Sequence, residues 1–399
     1  MNSTERLFVN ILGNYINDIP IDQQLFESVE EERLKELVKI HKVASIVYSA
    51  TKDKNISKEL KEYLEMGFLS EMAFHQKKVR VLGKLKEILS KEDIDHIVIK
   101  GSQIYALYPN PEFRTMGDLD LLIQKEDMQR MKDAFVSHGI VFVPENSVDN
   151  VWDFKARGTE VEIHSNLVSE GRLMNGYDYM TYFQDPFNHR KNLEGHTWKL
   201  DVEYNLAYLI FHIAKHFYNS GCGVRMLMDL PIVIKSETIN WGKLWRMLEE
   251  IELKGFALQL FSLCEKWFGE FGVEYPDDYH SEKIDYSQVE DFIIGGGIYG
   301  FHGRNTDADI VKMKINENDG KGSYIRGVIL WAFPSCKRMR EYSPWFSNKP
   351  AILLPVAYGE RFMRNIRERG GIVKLTINII KGKKDLSEKE QILKIMKIE

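Results

Sequence analysis

The sequence predicts an α+β protein in which a small mixed sheet is embedded between helical N-terminal and C-terminal regions. Three observations carry this. Apolar residues recur at helical spacing before residue 90 and again after residue 200. Between these regions the pattern changes to short apolar runs bounded by charged or turn residues. A helix-forming stretch separates the first two runs and a hairpin pattern follows later, so the sheet is expected to be mixed.

Residues 1–90 read as a helical N-terminal module. Leu34, Leu37, Val38 and His41 form one stripe, Leu60, Tyr63, Leu64 and Phe68 a second, and Val79, Leu82, Leu85, Ile88 and Leu89 a third. Residues 91–200 read as an α/β core. Strands are expected at Asp95–Ile99, Leu119–Ile123 and Ile140–Val143, with a helix over Glu126–Ser137 and a hairpin of Val151–Ala156 and Thr159–Ile163 turning at Arg157-Gly158. Residues 201–325 read as a helical domain. It opens with a helix near Asp201 whose stripe is Leu206, Ala207, Ile210, Ala214 and Phe217. Helices over Val224–Lys235, Trp241–Ile251 and Phe256–Phe268 follow the break at Ser220–Gly223. Gly295–Gly300 lacks the GK[ST] ending of a phosphate loop and reads as a tight bend, and Asn305–Lys321 is polar and expected to be mobile. Residues 326–399 form a basic, aromatic C-terminal region, with twelve Lys/Arg against four Asp/Glu over 336–385.

Composition narrows the function classes. With 399 residues and 44% hydrophobic content, the chain can bury more than one core. A net charge of −5 disfavours nucleic acid as the main partner without excluding it, because phosphate binding draws on excess Lys and Arg. Cys222, Cys264 and Cys336 are far apart, which excludes a zinc ribbon or disulfide framework and suits a reducing cytoplasm. The start MNSTERLFVN has no apolar h-region behind a basic stretch, and no eighteen apolar residues run together, so a soluble cytoplasmic protein is expected. The basic tail permits peripheral contact with an anionic membrane; the plainer reading is a solvated face packed on the protein body.

Chemistry concentrates in Lys100–Asp120 and Glu160–His164. Alternation along a strand puts Asp118 and Asp120 on one face, and Glu160, Glu162 and His164 on a common face of their own strand. Two carboxylates about 4 Å apart repel by roughly 4 kcal/mol at an effective dielectric of 20, so such a cluster calls for divalent cations. Mg²⁺ takes carboxylate and triphosphate oxygens, and a pair of such ions can activate a hydroxyl and stabilise leaving pyrophosphate. Gly101 permits close approach of the backbone to phosphate, Ser102 can donate its hydroxyl, and Lys100 and Arg114 can neutralise phosphate charge. His164 either orients a ligand, contacts substrate or is a hydrogen-bonded structural histidine. His212 and His216 stand at i, i+4 but lack the glutamate of a zinc-peptidase helix. By helical angle they face away from the apolar stripe, toward a cleft with Arg225 and Asp229 or simply between packed helices.

Gly101-Ser102, then Asp118-Leu119-Asp120, then an acidic residue in an apolar strand at Glu162, resembles the DNA polymerase β-type nucleotidyltransferase superfamily. More narrowly, Lys100-Gly101, Tyr108-Pro109, Pro111, Arg114 and GDLDLLI at Gly117–Ile123, followed by VEIH at Val161–His164, resembles a bacterial family of largely uncharacterised nucleotidyltransferases. The likeness extends through RMLMDL at Arg225–Leu230 to FPS and LLPVAYGER in the tail, covering about Ile94 to Arg369. It implies a polymerase β-like core, Asp118, Asp120 and Glu162 as catalytic metal ligands, and Gly101-Ser102 as the loop for nucleotide phosphate. Mg²⁺ or Mn²⁺ is the implied metal and an NTP, ATP first, the implied substrate. The third acidic position, Asp in many relatives, is Glu here, and Glu160 competes with Glu162 for it. The acceptor is expected to be a small molecule or saccharide, as in surface-sugar modification. The alternatives are a toxin-like enzyme acting on protein or tRNA, and a non-catalytic nucleotide-binding scaffold; a scaffold has no physical reason to keep clustered like charges.

Overall fold

The computed structural model describes residues 1–144, 147, 150–168, 177–219, 221–280, 283–297, most of 333–369 and 388–398. Residues 298–332, which take in the end of the glycine-rich bend and all of Asn305–Lys321, lie outside the described residues, as does most of the basic tail after 369. The chain divides into one compact unit of residues 1–300 with 395–399 and another of residues 301–394.

The first unit opens with helices α1 (Ser3–Asn17), α2 (Glu31–His41), α3 (Ala44–Thr51) and α4 (Lys58–Lys91). α4 starts where Ser57 accepts the Leu60 N–H at 3.0 Å, satisfying one of the orphan donors of a helix start. Its C-terminal half turns Val81, Leu82, Leu85, Ile88 and Leu89 to one buried face. Next come β1 (His96–Val98), the single turn α5 (Gly101–Ile104), β2 (Leu119–Ile123), α6 (Met128–Ser137), β3 (Val141–Phe142), β4 (Val151–Ala156) and β5 (Thr159–His164). A short α7 (Tyr179–Tyr182) leads into a hairpin of β6 (Arg190–Glu194) and β7 (Thr197–Leu200). Then follow α8 (Val202–Asn219), α9 (Val224–Ser236), α10 (Trp241–Glu250), α11 (Lys254–Phe268) and α12 (Ser287–Gly296). In the second unit, α13 (Leu354–Arg369) is described, and Met339, Phe346 and Ala357 form a small buried cluster.

The seven strands make one mixed sheet in the order β3-β4-β5-β2-β1-β7-β6. β2 runs antiparallel to β1 and parallel to β5, and β7 joins β1 in parallel. The β6–β7 hairpin went unpredicted, and the reason is composition. β6 reads Arg-Lys-Asn-Leu-Glu, an edge strand with no alternation to betray it and with charges that protect its open side.

Alternation then decides what the sheet offers on each face. Leu119, Leu121 and Ile123 of β2 and Val161 and Ile163 of β5 pack with Leu85, Leu89, Met131 and Phe135 of α4 and α6. The residues between them, Asp120, Glu162 and His164, therefore emerge on the opposite face. The parallel register sets Asp120 opposite Glu162 and Leu122 opposite His164. No described helix is long and apolar enough to cross a membrane.

Candidate active site

Asp120 is the centre of the polar cluster. It is buried, and its Oδ1 accepts from Lys100 Nζ at 2.7 Å and from His164 Nε2 at 3.1 Å. The same His164 nitrogen lies 3.3 Å from Glu162 Oε2. Burial opposes the charge on Asp120, but Lys100 and His164 hold its carboxyl well below the usual carboxylate range. Lys100 answers in kind: burial works against its ammonium, and Asp120 keeps it charged. Glu162 is also held below its ordinary value, chiefly by the His164 hydrogen bond.

Asp118 behaves differently. It stands just before β2 without a lysine of its own, and the negative charge of Asp120, then burial, then Glu162 push its carboxyl up to about 7. The site thus carries more like charge than its own cations offset. Ligand atoms of Asp120, Glu162 and His164 all lie within 4.8 Å of one another, close enough to share one ion. Asp120 and Glu162 give this cluster two carboxylates, and the crowded Asp118 stands beside them, a set that a divalent cation would relieve. Imidazole is a poor match for Mg²⁺, so His164 fits better as the group that orients Asp120 and Glu162.

The sequence around Gly101 folds to bring Lys100 inward. Lys100 adopts φ +52°, a conformation that a side chain takes only where its surroundings impose it. A Cβ on Gly101 would stand 3.1 Å from both terminal nitrogens of Arg114, so any other residue would press on that guanidinium and require it to shift. Ser102 is buried, and its Oγ accepts the Asp120 N–H at 3.0 Å, which ties the turn to β2.

Arg114 lies against Gly101, and a buried carboxylate holds it there. Its fork grips Asp229 of α9, Nε to Oδ1 at 3.0 Å and Nη2 to Oδ2 at 2.7 Å, while Nη1 donates to the Thr115 carbonyl at 2.7 Å. Tyr108 completes the knot, its hydroxyl donating to Asp229 Oδ1 at 2.7 Å. Arg225, one helical turn before Asp229, donates to the carbonyl and hydroxyl of Thr115. Arg114, Arg225 and Asp229, expected to face phosphate or acceptor, line the cavity that holds the carboxylates, and their polar groups also fasten the 108–117 loop, and so Gly117 and Asp118, to α9.

A cavity of about 310 Å³ opens beside this knot, lined by Lys100, Gly101, Asp118, Asp120 and Glu162 on the sheet side. His212 and His216 of α8 line it as well, together with Arg225 and Asp229. Their rings stand 4.6 Å apart at 76°. Burial drives His212 well below its ordinary value and His216 down to about 4, so both are neutral near pH 7. They can exchange hydrogen bonds there and add no charge. Glu160 lies two residues from Glu162 on the same strand face, is exposed, and is set opposite Lys155 of β4. Lys78 of α4, which the sequence did not single out, donates to the Met116 carbonyl at 2.7 Å and feels both Asp118 and Glu160. In sequence it is one more charge on an amphipathic helix, with nothing to set it apart.

The crowding around Asp118 has a thermodynamic signature in metal-free protein. A carboxyl raised from 3.8 to about 7 contributes stability that is complete below about pH 4 and is lost as pH rises through about 7. Asp118→Asn is therefore expected to melt with wild type at about pH 4 and above it at about pH 8, with added Mg²⁺ closing the gap. Coincident melting curves at the higher pH would show that the carboxylates do not crowd one another.

No curated protein and no solved structure matches the chain. A family described as "uncharacterised nucleotidyltransferase" matches residues 27–269, a span that takes in α2, the whole sheet and the helices through α11. The match covers well over half of the chain and contains every residue of the cluster built above, and on that ground the chain belongs to this nucleotidyltransferase family.

Proposed function

We propose that the protein transfers a nucleoside monophosphate from an NTP, with ATP as the first candidate, to a hydroxyl on a small acceptor, using Mg²⁺ or Mn²⁺ at a polymerase β-like core. The observation that carries this is the pairing of Asp120 with Glu162 across parallel strands, with Asp118 beside them under charge pressure that a cation would relieve. Asp118, Asp120 and Glu162 would hold the metal, which supplies charge neutralisation at the triphosphate and polarises the α-phosphoryl group.

The chain's own groups set the rest. Lys100 and His164 fix the Asp120 carboxylate in one orientation, so its lone pairs are aimed before substrate arrives. Lys100 and Gly101 line the space for the triphosphate, with Ser102 buried behind them and bracing β2. The acceptor oxygen attacks the α-phosphorus, the bridging bond to the β-phosphate breaks, and pyrophosphate leaves. The hydroxyl proton passes to Asp118, the carboxyl of the set held above its ordinary range and so the best suited to take it. Neutral His212 and His216 offer hydrogen bonds inside the cavity without repelling a metal.

Calorimetric titration of each NTP with and without Mg²⁺ tests the reading. Wild type is expected to bind at least one NTP only with the metal present, and Asp118→Asn plus Asp120→Asn to lose that binding. Metal-independent binding that survives in the double variant would remove the metal assignment.

A further inference from the structure

A second, larger cavity of about 560 Å³ reaches Asp118 from another side, sharing Gly117, Asp118 and Arg225 with the first. Its other wall belongs to the middle of α4, where Met66, Ser70, Phe74 and Lys78 follow one another at i+4 and so share a face. An apolar face of this kind is normally covered in a folded protein, yet Met66 is 69% exposed and Phe74 59%. Tyr63 and His75 line the same space from the adjacent row.

The charges lining this cavity are unevenly placed. Lys39 and Lys42, at the end of α2, stand exposed at its rim. Among the described residues Glu71 makes no ion pair with either: its carboxylate accepts from the N–H groups of Ala44 and Ser45 and from the Ser45 hydroxyl, at 3.0, 2.8 and 2.7 Å. The acidic groups Asp118 and Glu160 line it from the strand side. The cavity therefore presents cations from α2, an aromatic and apolar wall from α4, and one of the reacting carboxylates, Asp118, from the sheet side. Its volume suits a small molecule. The triphosphate has its own wall at Lys100 and Gly101, which do not line this space.

We infer that this second cavity seats the acceptor, an anionic molecule with an aromatic or apolar body whose carboxylate or phosphate meets Lys39 and Lys42 while its hydroxyl reaches Asp118. The inference rests on the nucleotidyl-transfer reading and deepens it by giving the second substrate a chemical class. The bonds made and broken are those stated for that reaction.

Ligand-observed NMR on the full-length protein tests it, with 4-hydroxyphenylacetate, 4-hydroxybenzylphosphonate and neutral 4-hydroxyphenylethanol as probes. One or both anions are expected to bind wild type roughly tenfold more tightly than the neutral probe, and which anion prevails tells carboxylate from phosphate. Ser70→Trp, which fills the cavity from an exposed position, and Lys39→Glu with Lys42→Glu are each expected to weaken the anions by about tenfold. Mg²⁺-dependent NTP binding is expected to stay within about twofold in both. No preference for anions, or probe binding untouched by the variants, overturns the assignment. Loss of NTP binding in Ser70→Trp also overturns it, since the cavity would then hold the nucleoside. Absence of Mg²⁺-dependent NTP binding in wild type is a different result: it removes the transfer reading itself, and the acceptor site with it.

Discussion

Replacing both aspartates, Asp118→Asn with Asp120→Asn, is expected to lower nucleotidyl transfer by about 10³-fold or more while the protein stays folded. The rate effect follows from charge. Amide oxygens are neutral, bind a divalent cation weakly, and leave the developing charge on the phosphoryl group without compensation. Fold survives for a separate reason. The amide oxygen introduced at position 120 still accepts from Lys100, and the neutral amide at position 118 relieves the repulsion that pushes the native carboxyl up to about 7. Pyrophosphate release and a melting curve, measured on the same samples, separate the two. The third carboxylate is settled in the same assay by its metal dependence. Glu162→Gln is expected to raise the Mg²⁺ needed for half-maximal rate by about tenfold or more and to cut the rate by about 10²-fold. Glu160→Gln should leave the Mg²⁺ curve in place. A shift with Glu160→Gln and none with Glu162→Gln would reverse the assignment.

That choice could not be made from the sequence, and the reason is physical. Alternation told which residues share a strand face, and it grouped Glu160, Glu162 and His164 correctly. It could not tell which of them meets Asp120, because that depends on the register of a parallel pair formed across forty residues. The stretches GDLDLLI and VEIH were readable as strands because apolar residues flank their acids and the buried face of each is continuous. β6 and β7 were not, since an exposed edge needs no such pattern. Arg114 was recognisable as an inward cation, yet its partner Asp229 lies 115 residues away on α9. Nothing local distinguishes a guanidinium bound for phosphate from one bound for a buried carboxylate. For His212 and His216 helical angle left two readings, a cleft with Arg225 and Asp229 or a place between packed helices, and they are both half-buried on α8 and among the residues that line the cavity. Lys78 gave no signal, being identical in pattern to the solvated lysines around it.

The knot of Arg114, Asp229 and Tyr108 carries the second large effect. Asp229→Ala is expected to cost about 3–5 kcal/mol, because it strands a buried guanidinium without a counter-charge and leaves the Tyr108 hydroxyl unpaired. At roughly 2–4 °C per kcal/mol for a unit of this size, the loss would be plain in a thermal melt. Arg114→Met is expected to destabilise similarly, and the two together by much less than their sum, since an apolar side chain replaces a charge whose partner is already gone. Activity should fall in all three, because the loop these residues tether to α9 is the one that delivers Gly117 and Asp118. The two sets of variants thus fail in opposite ways. The aspartate changes remove chemistry and keep the fold, whereas the knot changes loosen the fold and lose chemistry as a consequence. Additive destabilisation in the Arg114–Asp229 double variant would mean that each residue acts alone. The Asp118 loop would then owe its position to some other contact, the first candidate being Arg225 at Thr115.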